Sequence, residues 1–461
     1  EKGGLEVVST LDYQIQKLSE TVVKEEVEKL AKLNVTNASV VILSPSTGEI
    51  LAMVGSKDYF DTEHQGNVNV ATSERQPGSS IKVVNYAYAL GNGYTLASII
   101  PDTPVTFIVP DQPPYTPKNY EGGFRGNLTL RSALAESRNI PAVRVLNSIG
   151  VKNMIDMGQK MGITSWTDPK NYGLSLTLGG GEVRLLDLVR VYATLANYGK
   201  RPEINPILKV TNYKGRVLEN NDCASEKKPG IIAEVSASES AKSNFPNGSV
   251  CPGEQVLDPE VAFLLTDILK DNKARTPSFG PNSLLVIPNH PEVAVKTGTS
   301  NNLRDNWAIG YTKDYVVGVW VGNNDNSEMA RIASGVTGAS AIFNKIMSAL
   351  LAQEKIILSD LSVDWIPPKG LIQLPICTLT GTLACEGCPI KMEWFLESNK
   401  PEAACNPEWF KKEESSEENS NEKKDDVKID ETLLNHEVID TSKPKKRNLR
   451  FDPNLLFQLE R

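Results

Sequence analysis

A chain of 461 residues is too long for one ordinary core and predicts about two to four structural units. With 40% hydrophobic and 23% charged residues it has the composition of a soluble globular protein, and a net charge of -8 with a pI of about 5.3 lacks the basic surface that binding nucleic acid requires. No run reaches the roughly 18 apolar residues of a spanning helix, and no leader peptide is legible. The start at Glu1, without Met, reads as an excerpt or a processed form.

In chain order, Leu11, Ile15, Leu18, Val22, Val23, Val27 and Leu30 fall at helical spacing over 11–33, with Thr10 as N-cap. Residues 38–43 are strand-like, 45–49 carry turn chemistry, and 50–54 read as the return strand of a hairpin. Helical patterns follow at 79–92, 129–137, 151–161 and 185–197. Asp258-Pro259 opens another helix running to about Leu269, with Asp as cap and Pro at the first helical position. Residues 293–295 and 315–322 are apolar and β-rich, like central strands. Hairpin first, helices between and strands last predict an α/β fold of the α+β type: an antiparallel sheet assembled from both ends of the domain, flanked by helices, with a helical subdomain inserted.

The expected organisation is a linker helix over 1–36, a main domain over 37–352 with a surface insertion at about 215–256, a Pro/Cys-rich appendage over 353–410 and a disordered charged tail over 411–461. Cys223 and Cys251 bracket the insertion, while Cys377, Cys385, Cys388 and Cys405 cluster in the appendage. An even number in two local groups favours disulfides in an oxidising compartment. A zinc site on the last four is the rival reading, weakened by the lack of a second CxxC or CxxH beside Cys385 and Cys388. The scattered His64, His290 and His436 form no triad or metal centre.

Chemistry concentrates in three places. Ser79 and Lys82 lie three apart in Arg75-Gln76-Pro77-Gly78-Ser79-Ser80-Ile81-Lys82, one face of a helix. Serine needs a neighbouring base, and a lysine serves if burial and nearby positive charge lower its pKa. The motif is cheap: Ser225–Lys228, Ser420–Lys423 and Ser442–Lys445 repeat it in polar stretches. Ser137-Arg138-Asn139 adds a hydroxyl that can relay a proton and a carboxamide that can hold a peptide backbone, with Pro141 forcing a change of backbone soon after. Lys296-Thr297-Gly298-Thr299, following residues 293–295, offers a cationic, hydroxyl-lined strand edge that can stabilise an anion and grip a carboxylate, with Gly298 admitting substrate to the backbone.

Ser-x-x-Lys, Ser-x-Asn and Lys-Thr-Gly in this order on helix, loop and strand form the joint signature of penicillin-binding proteins and class A β-lactamases. From Gly3 to about residue 350 the chain resembles the transpeptidase region of a class A (bifunctional) penicillin-binding protein. Thr47-Gly48-Glu49-Ile50-Leu51-Ala52-Met53-Val54-Gly55, Tyr172-Gly173-Leu174-Ser175-Leu176, Gly179-Gly180-Gly181-Glu182-Val183, and Asp305, Trp307 and Gly310-Tyr311-Thr312 carry that resemblance. It implies Ser79 as acylated nucleophile, Lys82 as its base, Ser137 as proton shuttle and Lys296 as support for proton transfer. It further implies donor-peptide contact by Asn139, carboxylate binding by Thr297 and Thr299, and an oxyanion hole from the N–H groups of Ser79 and Thr299.

The implied substrates are peptidoglycan stem peptides, a D-Ala-D-Ala donor and an amine acceptor, with β-lactam antibiotics as inhibitors. The family works outside the cytoplasm on the cell envelope, anchored through a segment outside this chain, and other cell-wall synthesis proteins are possible partners. No cofactor, no metal and no nucleic acid are expected. Arg138 stands where β-lactamases usually have Asp, and no obvious Glu-x-x-Leu-Asn element supplies a deacylating water; both disfavour a β-lactamase. The glycosyltransferase half expected ahead of Gly3 is missing, so glycan polymerisation is not expected. A DD-carboxypeptidase, a penicillin-binding sensor and a non-catalytic scaffold are the alternatives.

Overall fold

The structure is a computed structural model that describes residues 4–110, 113–223, 251, 253–330, 338–354, 364–410 and 436–442. At its centre is a five-stranded antiparallel sheet, in the order Ala294–Thr299, Asp305–Tyr311, Val316–Gly322, Asn37–Leu43, Ile50–Val54. The three middle strands are buried along their whole length because helices cover both faces, which is why they read as continuous apolar runs rather than alternating ones. The sheet joins the hairpin near the start to the strands 250 residues later, as the order of patterns predicts.

One face packs against the helices Tyr13–Leu30 and Ala339–Glu354; Val23, Val27, Phe343 and Ile346 share a core with Val40, Ile42, Val317 and Val319. Asp12, not Thr10, caps the first helix: its carboxylate accepts the N–H groups of Gln14 and Ile15. Thr10 is committed elsewhere, donating to Ile50 O of the sheet at 2.8 Å.

The other face carries Leu185–Ala196 and, beyond it, a helical lobe of Lys82–Gly91, Leu130–Ala135, Asn139–Ile149, Val151–Met161 and Pro259–Lys270. The pattern at 79–92 resolves into a 3₁₀ turn, Gly78–Ile81, running into Lys82–Gly91. Asn139–Ile149 is a helix that periodicity did not predict. Pro141 does not break it, because Pro sits in the first turn, where a missing N–H costs nothing. Pro259 opens its helix as read, although Asp258 makes no side-chain cap bond.

Within the insertion, Val217–Asn220 joins a three-stranded sheet with Ile207–Asn212 and Leu5–Ser9, and Gly253–Gln255 pairs with Lys200–Pro202. A disulfide links Cys223 to Cys251; residues 224–250 and 252 lie outside the described ones. The appendage is a hairpin of Leu371–Cys377 and Ile390–Leu396 with a disulfide between Cys385 and Cys405. Of the tail, for which disorder is expected, 411–435 and 443–461 lie outside the described residues. Glu437–Asp440 departs from that expectation: it forms a parallel strand on Val105–Ile108. An existing edge supplies ladder bonds, and the Arg144–Glu437 pair at 2.6 Å adds a charge contact, so little apolar area is needed.

Candidate functional site

Ser79 lies in the 3₁₀ turn at the mouth of a cleft of about 540 Å³, together with Ser137, Asn139, Thr297, Gly298 and Thr299. Two glycines bring the turn against the open edge of the Ala294–Thr299 strand. Gly78 takes φ +54°, and a Cβ there would stand 2.4–2.6 Å from the backbone of Thr299; a Cβ on Gly298 would stand 2.2 Å from Pro77 O. The turn is also pinned from behind, by Trp307 Nε1 donating to Gln76 O at 2.8 Å and the Tyr192 hydroxyl donating to Ser80 O at 2.7 Å. Ser300 N–H bonds to Asp305 O on the neighbouring strand. By the alternation of an antiparallel ladder, Thr299 N–H therefore faces the open edge, toward Ser79.

Lys82 follows one turn later, fully buried. Its Nζ donates to Ser137 O at 2.6 Å and to Asn139 Oδ1 at 2.8 Å. Burial holds its pKa well below the ordinary lysine value, and the positive charges of Lys296 and Arg138 push the same way, against Asp102. A neutral amine has two N–H bonds and one lone pair. In that form both N–H bonds would be matched by these two oxygens, with the lone pair left over.

Ser137 sits between two lysines. It adopts left-handed φ +61°, a conformation a non-glycine residue rarely takes, while its carbonyl accepts from Lys82 and its Oγ accepts from Lys296 Nζ at 2.7 Å. Lys296 also donates to Thr297 O at 2.9 Å. Burial, with help from the Arg275 guanidinium, pushes the Lys296 pKa down to about 7. Asn139 is engaged at both ends: Oδ1 with Lys82, and Nδ2 with Lys118 O at 2.8 Å. Thr297 is buried, and half-buried Thr299 accepts from Asn306 Nδ2 at 3.3 Å.

All eight residues singled out from the sequence thus converge on one place, six along the cleft wall and Lys82 and Lys296 directly behind Ser137. The chance copies of Ser-x-x-Lys at Ser225, Ser420 and Ser442 do not provide a second such grouping among the described residues; the first two fall outside them. The separate Ser-x-Asn of Ser300 and Asn302 lines the same cleft. A second cavity, of about 640 Å³, lies between Tyr13–Leu30, Ile50–Val54 and residues 55–69 and holds none of these groups.

Sequence reasoning missed the supports. Arg138 reaches away to Asp102, donating from Nε at 2.8 Å, and Asp102 is fully buried. Asn119 bridges the two parts, donating to Asp102 Oδ1 at 2.8 Å and accepting the Asn139 N–H at 3.0 Å. Neither Asp102 nor Asn119 sits in a periodic or motif context, so no local signal marks them.

Residues 38–348 match the family described as the penicillin binding protein transpeptidase domain, and residues 367–409 match that described as the penicillin-binding protein 1A C-terminal domain. Penicillin-binding protein 1A of Rickettsia felis is 29% identical over 358 residues, covering 74% of this chain and 43% of the relative. That of Pseudomonas aeruginosa is 29% identical over 403 residues, covering 81% and 46%. The chain thus spans less than half the length of these relatives. Among solved structures, penicillin-binding protein 1A from Haemophilus influenzae aligns with a TM-score of 0.68 at 21% identity, covering 87% of this chain and 73% of that one. PonA1 from Mycobacterium tuberculosis in complex with penicillin V aligns at 0.60 and 22%, covering 79% and 89%. With the signature residues gathered at one cleft and two thirds of the chain matched, the protein belongs to the penicillin-binding protein transpeptidase family.

Proposed function

We propose that this chain is a peptidoglycan DD-transpeptidase of the cell envelope that cross-links stem peptides through an acyl-enzyme on Ser79 and is acylated by β-lactams. Lys82 carries the reading: it is fully buried one turn after Ser79, its Nζ is held by Ser137 O and Asn139 Oδ1, and burial lowers its pKa as a general base requires.

Ser79 Oγ attacks the carbonyl carbon of the penultimate D-Ala and gives its proton to Lys82. The N–H groups of Ser79 and Thr299 hold the oxyanion. The bond to the terminal D-Ala breaks, and its nitrogen takes a proton relayed by the Ser137 hydroxyl, which Lys296 steadies. An amine of a second stem peptide then attacks the ester, forming the cross-link and returning the proton to Ser79. Thr297 and Thr299 receive the donor's carboxylate, beside Lys296. Asn139 acts first as a positioner of Lys82, since its carboxamide oxygen is already engaged there.

The test is labelling with a fluorescent penicillin, with the adduct located by peptide mapping. The expected result is a stable adduct on Ser79 that Ser79→Ala loses. An adduct that persists in Ser79→Ala sinks the assignment of the nucleophile. Turnover of a D-Ala-D-Ala peptide with and without an added amine then separates transpeptidase from carboxypeptidase.

A further inference from the structure

The appendage gathers its four cysteines into one cluster. The sulfurs of Cys377, Cys388 and Cys405 lie within 4.8 Å of one another, and Cys385 is bonded to Cys405. Cys377 ends one strand of the hairpin, and Cys385-Glu386-Gly387-Cys388 immediately precedes the other. Cys388 N–H turns back to Cys385 O at 3.4 Å, with Gly387 at φ +85°, so both sulfurs of this CxxC leave one tight turn. Cys405 is held there by backbone bonds, its N–H to Leu383 O at 2.9 Å and Leu383 N–H to Ala403 O at 3.0 Å. The pairing between Cys385 and Cys405 leaves Cys377, which is buried, and Cys388 as thiols facing each other.

Cys377 is buried, and polar groups converge on its sulfur. Its Sγ accepts hydrogen bonds from the N–H groups of Leu379 and Thr380 and from the Thr380 hydroxyl. Donors converging on sulfur orient a metal ligand. Four sulfurs brought together from two turns and a crossing loop are the donor set of a closed structural zinc site, with Zn–S bonds of about 2.3 Å and no open position.

We propose that in the reduced chain Cys377, Cys385, Cys388 and Cys405 bind one Zn²⁺ tetrahedrally, so that metal and the Cys385–Cys405 disulfide are alternative states of one site. Binding converts four thiols and Zn²⁺ into a tetrathiolate centre and releases four protons, with no change of oxidation state. The disulfide form arises only when the metal-free thiols meet a disulfide or quinone oxidant, which takes up their two electrons. The site would fix a hairpin loop whose small apolar cluster is Ile376 and Phe395 against Ala97, with Ile372 and Leu374 packed on it.

The experiment is metal analysis of the full chain, purified anaerobically with a phosphine reductant, followed by titration of the metal-free protein with Co²⁺. The expected result is about one zinc per chain and, with cobalt, the intense red-region bands and sulfur-to-cobalt charge transfer of a four-thiolate tetrahedral site. Cys377→Ser and Cys388→Ser should each weaken zinc binding at least tenfold, and Cys223→Ser should leave it intact. The proposal is overturned by zinc far below stoichiometric in the reduced chain, by cobalt bands of an octahedral oxygen site, or by zinc binding that both serine variants retain. Because none of these readouts involves penicillin, they stand independently of Ser79.

Discussion

At the residue scale, the site depends on two lysines that burial makes poor cations. Lys82→Met removes the proposed base without removing its bulk. Acylation by penicillin should fall on the order of 10²–10⁴-fold, read as the second-order rate of adduct formation, while the protein stays folded. A rate within a few-fold of wild type would exclude Lys82 as the base. Lys296 makes a separate prediction about pH. Its folded pKa lies near 7 against an ordinary 10.5, so between those values the unfolded chain holds a proton that the folded chain does not. Stability therefore rises with pH across that window and is lowest below it. Lys296→Met lacks this dependence, so its gain over wild type should be greatest at and below pH 7, about 1 kcal/mol or more, and fade toward pH 10. Urea unfolding at several pH values checks this, and parallel wild-type and variant curves would refute it. The activity should fall in the same variant, a site trading stability for chemistry.

At the element scale, function rests on how the turn carrying Ser79 meets the edge strand carrying Thr299. Gly298→Ala places a Cβ 2.2 Å from Pro77 O, a contact that rigid backbone on both sides cannot absorb without separating turn from strand. The expected outcome is acylation reduced by about 10²-fold or more, because displacement of reacting groups by an ångström has that cost. Loss of stability should be only about 1–3 kcal/mol, measured by thermal melting. Wild-type labelling by the variant would mean that this approach is not what builds the oxyanion position. The loop Ser137–Asn139 is the second such element: its left-handed Ser137 is fixed by Arg138, which runs into the buried Asp102, and by Asn119 beneath it.

At the scale of the whole molecule, the appendage is tied to the transpeptidase core through Arg131. Its guanidinium meets Glu393 in a two-pronged pair at 2.5 and 2.7 Å and also reaches Asp267 and Asp271. All of Arg131 but 4% is buried, and these partners raise its pKa despite burial. Glu393→Ala leaves that charge short of its main partner. It should cost about 3–5 kcal/mol in unfolding free energy or uncouple the melting of the appendage from that of the core. Calorimetry distinguishes the two, and an unchanged single transition would show the tie to be unimportant.

The sequence by itself determined the pieces whose cause is local. The apolar, β-rich run at 315–322 read as a central strand and 38–43 as a strand of a hairpin, and Ser79, Lys82, Ser137 and Lys296 stood out because few chemistries need those groups in that order. What the tertiary structure alone decided is contact between residues far apart in the chain. Asp12 displaced Thr10 as cap because the sheet took the Thr10 hydroxyl, and Pro141 falls in the first turn of a helix whose opening Asn139 and Ile140 N–H groups the Asn119 side chain accepts. The supports Asp102, Asn119 and Tyr192 have no signature of their own, since a buried hydrogen-bond partner is chosen by position in space. The same holds for the pKa values of the two lysines: spacing puts Lys82 beside Ser79, but only burial, with Arg138, Lys296 and Arg275 folded in around them, lowers either pKa.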